Sequence, residues 1–402
     1  MICKTLIIKL MLFLLWITGA DAQFVTFYPI EIYFNPVGYT NLIPGEQPDD
    51  YSTFSSVRLI LDKDLPSFGN FANTISLFGS VERYHSITAA NDFYPLSLNP
   101  VLKSFWFAHP LVTPGVEINT NYDFLPYFNS NGNIERASNF RVRARPFMYV
   151  FLTPNLFFNS KFTYGRSIYS KPNAMNVGFS EVPMTNPDGS TVYDDFGSPK
   201  MTLYPEIEMI RNDYSIYRYD LETVYLLPFF TQLFISPYVF YNTYDELPAR
   251  SADGSFKTDN PPLRERGFGA AVGMRTHSFR WGYGDGVFEY EKNFDDVFGH
   301  NSYHKLRFST RWENQYFTER FGYRLLFDYT RHLSSHEVIG FSPETNEPET
   351  LGATEIRGDM TMIFNLNRNV SIRPQYDFIY REFPQDRTMS KSRYWLNLHV
   401  IY

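Results

Sequence analysis

The chain has 402 residues, among them 39 Phe, 30 Tyr and 5 Trp, yet its mean hydropathy is slightly negative at −0.30. Charged residues make up 20%, below the roughly 25% of an ordinary soluble domain, and the net charge is −7. This balance excludes a disordered chain, which is poor in aromatics and rich in charge. A helical membrane protein is excluded too, because after residue 22 no apolar run of about 18 residues is free of charges.

In chain order, Lys4 and Lys9 precede and enter an apolar run from Leu10 to Ile17, and Ala20-Asp21-Ala22 forms an A-x-A cleavage pattern before Gln23. Residues 1–22 read as a secretory signal peptide. Losing Lys4, Lys9 and Asp21 takes the net charge from −7 to −8, and Cys3, the only cysteine, leaves with them. The exported chain then holds no thiol, so its stability cannot come from disulfides. Residues 23–70 carry Pro29, Pro36, Pro44, Pro48 and Pro66, which makes poor strand material; an N-terminal extension or a plug is expected there, ahead of a strand-forming domain over 71–402.

From residue 74 the pattern has period two, the mark of an extended strand that sends alternate side chains to opposite faces. Strands are expected at 74–84, 98–108, 116–128 and 139–152, with a Thr113-Pro114 turn between the second and third. A Thr153-Pro154-Asn155 turn leads to strands at 155–169, 201–211 and 214–227. That odd number breaks the up-and-down parity. Either 201–227 is one bent strand or 170–200 hides another, for a total of 14 or 16 strands. From 228 onward eight strands alternate between tight turns (228–230, around His277, 318–319 and 367–369) and long polar segments (245–263, 293–301, 333–354 and 382–391).

The last five strands carry the clearest alternation. Leu306, Phe308, Thr310 and Trp312 oppose Lys305, Arg307, Arg311 and Glu313; Tyr323, Leu325, Phe327 and Tyr329 oppose Arg324 and Asp328. Met360, Met362 and Phe364 oppose Arg357 and Asp359, and Tyr376 and Phe378 oppose Arg373 and Asp377. The chain ends with Tyr394, Leu396, Leu398, Val400 and Tyr402 on one face. These strands run to roughly 11–15 residues against the usual 5–6, which is the length a tilted strand needs to cross a bilayer.

A final strand of this kind, ending on an aromatic residue, resembles the C-terminal strand of bacterial outer-membrane β-barrels. The resemblance implies an all-β, closed, antiparallel transmembrane barrel of 14–16 strands, porin-like, with short periplasmic turns and long outer loops. It implies an exported protein in the outer membrane of a diderm bacterium, among outer-membrane lipid and lipopolysaccharide. It further implies insertion by periplasmic chaperones and the barrel-assembly machinery, and leaves assembly into a homo-oligomer open.

In such a barrel the polar face looks into the lumen. The last five strands then place eight bases and five acids inward, and Arg141, Arg143 and Arg145 add three guanidinia on one face. Glu206 and Glu208 share a face and are expected to form part of an opposing acidic wall. Rings of basic side chains favour anions, so the pore-lining candidates for selectivity are Arg141, Arg143, Arg145, Glu206, Glu208, Lys305, Arg307, Arg311, Glu313, Arg324, Arg357, Asp359 and Arg373. The plainer reading is that these charges pair across neighbouring strands and fill a lumen that conducts little. Trp281, Tyr283, Tyr316, Trp395 and Tyr402 bunch toward strand ends as interfacial girdles do.

The function expected is passive transport of small polar or anionic solutes, with no enzyme activity, no cofactor, no metal and no nucleic acid. The alternatives are a surface-interaction barrel plugged by 23–70 and, more remotely, a lipid hydrolase built on His332 with Ser334 or Ser335. The 333–354 segment carries Glu337, Glu344, Glu347 and Glu349 and no Lys or Arg, which serves either cation bridging to lipopolysaccharide or solubility alone.

Overall fold

The computed structural model describes residues 30–40, 52–84, 96–107, 109–128, 134–170, 173–184, 191, 199–228, 230–249, 251, 259–278, 282–299, 302–334, 340–341, 348–349, 354–382 and 388–401. The expected leader over 1–22, Trp281 and Tyr402 lie outside them. In chain order the strands are β1 (Ile30–Thr40), β2 (Ser52–Phe68), β3 (Phe71–Tyr84), β4 (Leu96–Trp106), β5 (Val112–Phe128), β6 (Ile134–Thr153) and β7 (Leu156–Tyr169). Next come β8 (Asn173–Pro183), β9 (Met201–Ile210), β10 (Tyr214–Leu227), β11 (Thr231–Pro248), β12 (Pro262–Ser278), β13 (Gly282–Asp295) and β14 (Tyr303–Asn314). The chain finishes with β15 (Phe321–Ser334), β16 (Gly340–Phe341), β17 (Pro348–Glu349), β18 (Thr354–Asn365), β19 (Val370–Glu382) and β20 (Thr388–Ile401).

Sixteen of these strands close into one antiparallel barrel, in the order β1 to β7, β10 to β15, then β18, β19 and β20, which pairs back onto β1. Closure runs from Glu31↔Ile401 to Thr40↔Arg393. The two missing staves of the expected count come from an unexpected place. Ile30–Thr40 and Ser52–Phe68 belong to the wall, so the expectation of an extension or plug over 23–70 fails for these residues. Their prolines sit where a ladder tolerates them: Pro36 lies in the register shift between Asn35 and Gly38, and Pro66 in the one between Leu65 and Phe68.

The region 170–211 also differs from expectation. A strand does lie within 170–200, but β8 pairs with β9 in a separate two-stranded sheet. The barrel passes directly from β7 to β10, with Tyr217 opposite Tyr164. The hairpin is therefore an insertion between two staves, at the same end as the long connections.

Packing is inverted relative to a soluble protein. Among the described residues 46 large hydrophobic side chains are exposed and 11 hydrophobic residues are buried. The pattern is cleanest in β20, where Tyr394, Leu396 and Leu398 are 45%, 46% and 39% exposed while Trp395, Asn397 and His399 are 5%, 2% and 1% exposed. Apolar groups on the outside of a closed ring are stable only against lipid.

The seam between first and last strand is joined by side chains as well as backbone. His399 Nε2 lies 3.0 Å from Glu31 Oε2, and the Tyr33 hydroxyl donates to the same oxygen at 2.9 Å. Arg373 donates to Tyr33 Oη at 3.0 Å, which carries the network from β19 across β20 to β1. At Gly38 a Cβ would stand 2.4 Å from the Phe54 ring and 2.8 Å from Trp395 Cβ, so only glycine admits these two aromatics to the inner face.

A second close approach shapes the middle of the wall. The Tyr238 ring lies flat over Gly269, where a Cβ would meet it at 2.4 Å and the Tyr290 carbonyl at 2.6 Å; Gly286 has open space around it. Gly269→Ala is expected to destabilise the refolded barrel by about 1–3 kcal/mol, whereas Gly286→Ala stays within about 0.5 kcal/mol of the parent. Urea unfolding midpoints in detergent check this. Equal midpoints for the two variants would refute the packing account.

Candidate functional site: the charged lumen

The register settles which side chains face inward. On β6 these are Arg141, Arg143 and Arg145, opposite Asn121, Asn119 and Glu117 of β5. Arg145 Nη1 meets Glu117 Oε1 at 2.6 Å, and Arg141 Nη2 reaches Asp123 Oδ2 at 2.7 Å. Arg143 differs, because β5 offers it the amide of Asn119 where its neighbours find a carboxylate. On its other side lies Gly165, whose absent side chain leaves room for Arg143 Cγ, 3.2 Å from where a Cβ would stand. Among the described residues Arg143 makes no ion pair or hydrogen bond. Lys161 on β7 is in the same position: Asp220 lies opposite it, but Arg218 holds that carboxylate at 2.7 Å. Lys103 completes this basic arc, lying over the rings of Phe105 and Phe147 at 4.9 and 5.3 Å.

The acidic wall is not where the sequence reading put it. Glu206 and Glu208 are on β9, outside the closed ring. The inward acids are instead Glu265 on β12 and Asp285, Glu289, Glu291 and Asp295 on β13. The Tyr238 hydroxyl reaches over Gly269 to lie 2.6 Å from Glu289 and 2.7 Å from Glu291, which share its single proton. Glu291 also accepts from Tyr303 at 3.1 Å and pairs with Lys305 Nζ at 3.0 Å. Glu265 is held by the amides of Asn242 and Asn293, each at 3.3 Å. The signal for this wall was present: Asp285, Val287, Glu289, Glu291, Asn293 and Asp295 alternate with Gly286, Phe288, Tyr290, Lys292 and Phe294.

The remaining candidates face inward and are mostly paired. Arg307 donates through Nε to Asp328 at 2.7 Å, Arg311 pairs with Glu313, and Arg357 and Arg381 share Glu355. Arg324 Nε lies 3.6 Å from Asp359 Oδ1. Arg373 has no carboxylate partner among the described residues and donates to the Tyr33 and Ser371 hydroxyls, both at 3.0 Å. Pairing with a carboxylate on the same or a neighbouring strand thus accounts for most of the wall, with Lys103, Arg143, Lys161 and Arg373 as exceptions among the described residues. Exposed pairs of this kind contribute little to stability and act mainly on the potential inside the lumen.

Two expected roles change. Trp395 and Tyr283 were read as interfacial aromatics, but both face inward, Trp395 edge-on to Phe54 and Tyr283 beneath Arg311. His332 sets its ring against Tyr303 at 5.5 Å. Ser335, His336, Glu337, Glu344 and Glu347 lie outside the described residues.

Two cavities lie along the lumen. A cleft of 340 Å³ at mid-height is lined by Arg143, Arg145 and Lys161 on one side and by Glu291 and Tyr303 on the other. The second, of 280 Å³ and nearer the short-turn end, is lined by Tyr33, Arg58, Phe78, Arg324, Arg373 and Asn397. Each is lined by side chains from staves six or seven places apart around the ring.

No protein-family model and no curated protein matches the chain. Solved structures with a similar backbone include CdiB from Escherichia coli, with 9% identity and a TM-score of 0.48, covering 94% of this chain and 64% of that one. Pseudomonas aeruginosa OccK3 (OpdO) has 10% identity and a TM-score of 0.41 over 93% of this chain and 95% of that one. The outer membrane transporter YddB from Escherichia coli has 9% identity and a TM-score of 0.38 over 89% and 60%. What this chain itself shows is a closed 16-stranded antiparallel β-barrel with an apolar outer face. This chain spans about two thirds of the length of CdiB.

Glu355 neutralises two arginines at once, so Glu355→Gln releases Arg357 and Arg381 to the lumen. In bilayers under a KCl gradient its reversal potential is expected to move toward that of chloride relative to the parent. An unchanged or cation-directed shift would contradict the pairing.

Proposed function

We propose that the chain is a passive outer-membrane channel for small polar and anionic solutes. The observation that supports this most is that Arg143 and Arg145 of β6 and Lys161 of β7 face Glu291 of β13 across one cleft. A ring of about eight strands is filled by its own side chains, whereas 16 leave space for water. Charges of opposite sign on facing walls set up a transverse field that orients a polar solute as it passes.

The sign of the preference follows from which charges are already answered. In the cleft lining Asp220 and Glu291 are answered by Arg218 and Lys305, and Arg145 by Glu117, while Arg143 and Lys161 have no carboxylate partner among the described residues. The net potential in the cleft is therefore positive, which admits anions and repels cations.

We further infer residence among outer-membrane lipid and lipopolysaccharide, after export by the 1–22 leader. Periplasmic chaperones and the barrel-assembly machinery would act on the C-terminal strand. The apolar outer face of Tyr394, Leu396 and Leu398 suits that placement. The hydrolase reading has less support, since its proposed histidine packs against Tyr303.

Reconstituted in planar bilayers, the protein is expected to give discrete conductance steps with chloride more permeant than potassium. Arg143→Glu is expected to reduce or reverse that preference without abolishing the steps. A silent protein, or one whose ion preference ignores the charge at 143, would overturn the proposal.

A further inference from the structure

The mid-height cleft has a feature that a general diffusion path does not require. Its lining holds four cationic side chains, Arg143, Arg145, Lys161 and Arg218, and two carboxylates, Asp220 and Glu291. Both carboxylates are committed, Asp220 to Arg218 and Glu291 to Lys305, Tyr238 and Tyr303. Arg145 is committed to Glu117. What is left over is one guanidinium and one ammonium, on adjacent staves, with no acid to answer either.

We propose that this cleft is a binding station for a compact dianionic oxyanion, of which phosphate is the simplest example. A planar guanidinium offers paired N–H donors that match two oxygens of such an anion, and the Lys161 ammonium adds a point charge to the same cleft from the adjacent stave. The Thr163 hydroxyl and the Asn242 amide line the same cleft and supply neutral polar contacts. The volume of 340 Å³ has room for a small anion together with its hydration shell.

The local sequence also fits a site. Strand β5 carries acids opposite Arg145 and next to Arg141 but an asparagine opposite Arg143, and β7 carries glycine where any side chain would crowd Arg143. A wall built only to neutralise its charges would not single out the central arginine of three. This deepens the channel reading by naming a solute class, and the test keeps the two apart because binding is read without conduction.

Inorganic phosphate is titrated calorimetrically into the full-length barrel in detergent at pH 8, at constant ionic strength, with nitrate as the monoanion control. Saturable binding of one phosphate per chain is expected, and weaker binding of nitrate. Arg143→Gln and Lys161→Gln are each expected to weaken phosphate roughly tenfold or more, and the double variant to remove it, while Arg266→Gln, whose exposed side chain pairs with Asp296 away from the cleft, leaves it unchanged. Circular dichroism and heat-shifted gel migration confirm that each variant is a folded barrel. Absence of saturable phosphate binding in the folded parent, or binding that survives in the folded double variant, overturns the proposal. Conductance without phosphate binding removes this site alone, and phosphate binding without conductance removes the channel alone.

Discussion

A strand placed in hydrocarbon has no water with which to complete its backbone hydrogen bonds, and each unmet group costs several kcal/mol. The pairing of β20 onto β1 answers that constraint, because it leaves no stave of the ring with an open edge. Everything else in the molecule is arranged around the closure. Once the backbone is satisfied between neighbours, the two faces of the wall are free to meet different solvents. Aromatics and aliphatics take the outside and charges take the inside. The slightly negative mean hydropathy is then the average of two unlike surfaces rather than a description of either.

Closure also fixes how the interior is organised. Side chains that point inward from 16 staves converge, and they must either pair or leave charge unanswered. Most of the arginines pair with a carboxylate on their own stave or a neighbouring one. The exceptions arise from register: Asn119 faces Arg143, and Arg218 reaches Asp220 before Lys161 can. Small residues decide the rest. Gly269 lets Tyr238 lie flat against β12 and carry its hydroxyl to the acids of β13, which fixes those acids in place and quiets their charge. The selectivity argued above therefore depends less on how many charges face inward than on which of them the neighbouring strands have already satisfied.

Much of this is legible in the sequence alone. The alternation in β20 separates Tyr394, Leu396 and Leu398 from Trp395, Asn397 and His399, and the structure exposes the first set and buries the second. Eight strands from 231 onward follow the expected turns and loops. Ile30–Thr40 and Ser52–Phe68 hold prolines and so look unlike wall strands, yet Pro36 and Pro66 both fall at register shifts, where a ladder can bear them. The strand at 201–210 was recognised as extended, but alternation within a segment says nothing about its partner, and β9 pairs with β8 outside the ring. That is why Glu206 and Glu208 were assigned to a wall they do not join. Trp395 and Tyr283 were grouped with interfacial aromatics by residue type, when the parity of their own strands already turned them inward.

The central claim is that one face of each stave is wet and the other is in lipid. Neighbouring positions on β14 test it with almost no change in volume, since Ser309 faces the lumen and Thr310 faces out. The natural chain helps, because Cys3 is its only cysteine. With Cys3 replaced by serine, Ser309→Cys and Thr310→Cys would be reconstituted in bilayers and exposed to a small charged thiol reagent. Rapid labelling of the Ser309 variant and little or none of the Thr310 variant is the result predicted. Equal labelling, or preference for the Thr310 variant, would contradict the account.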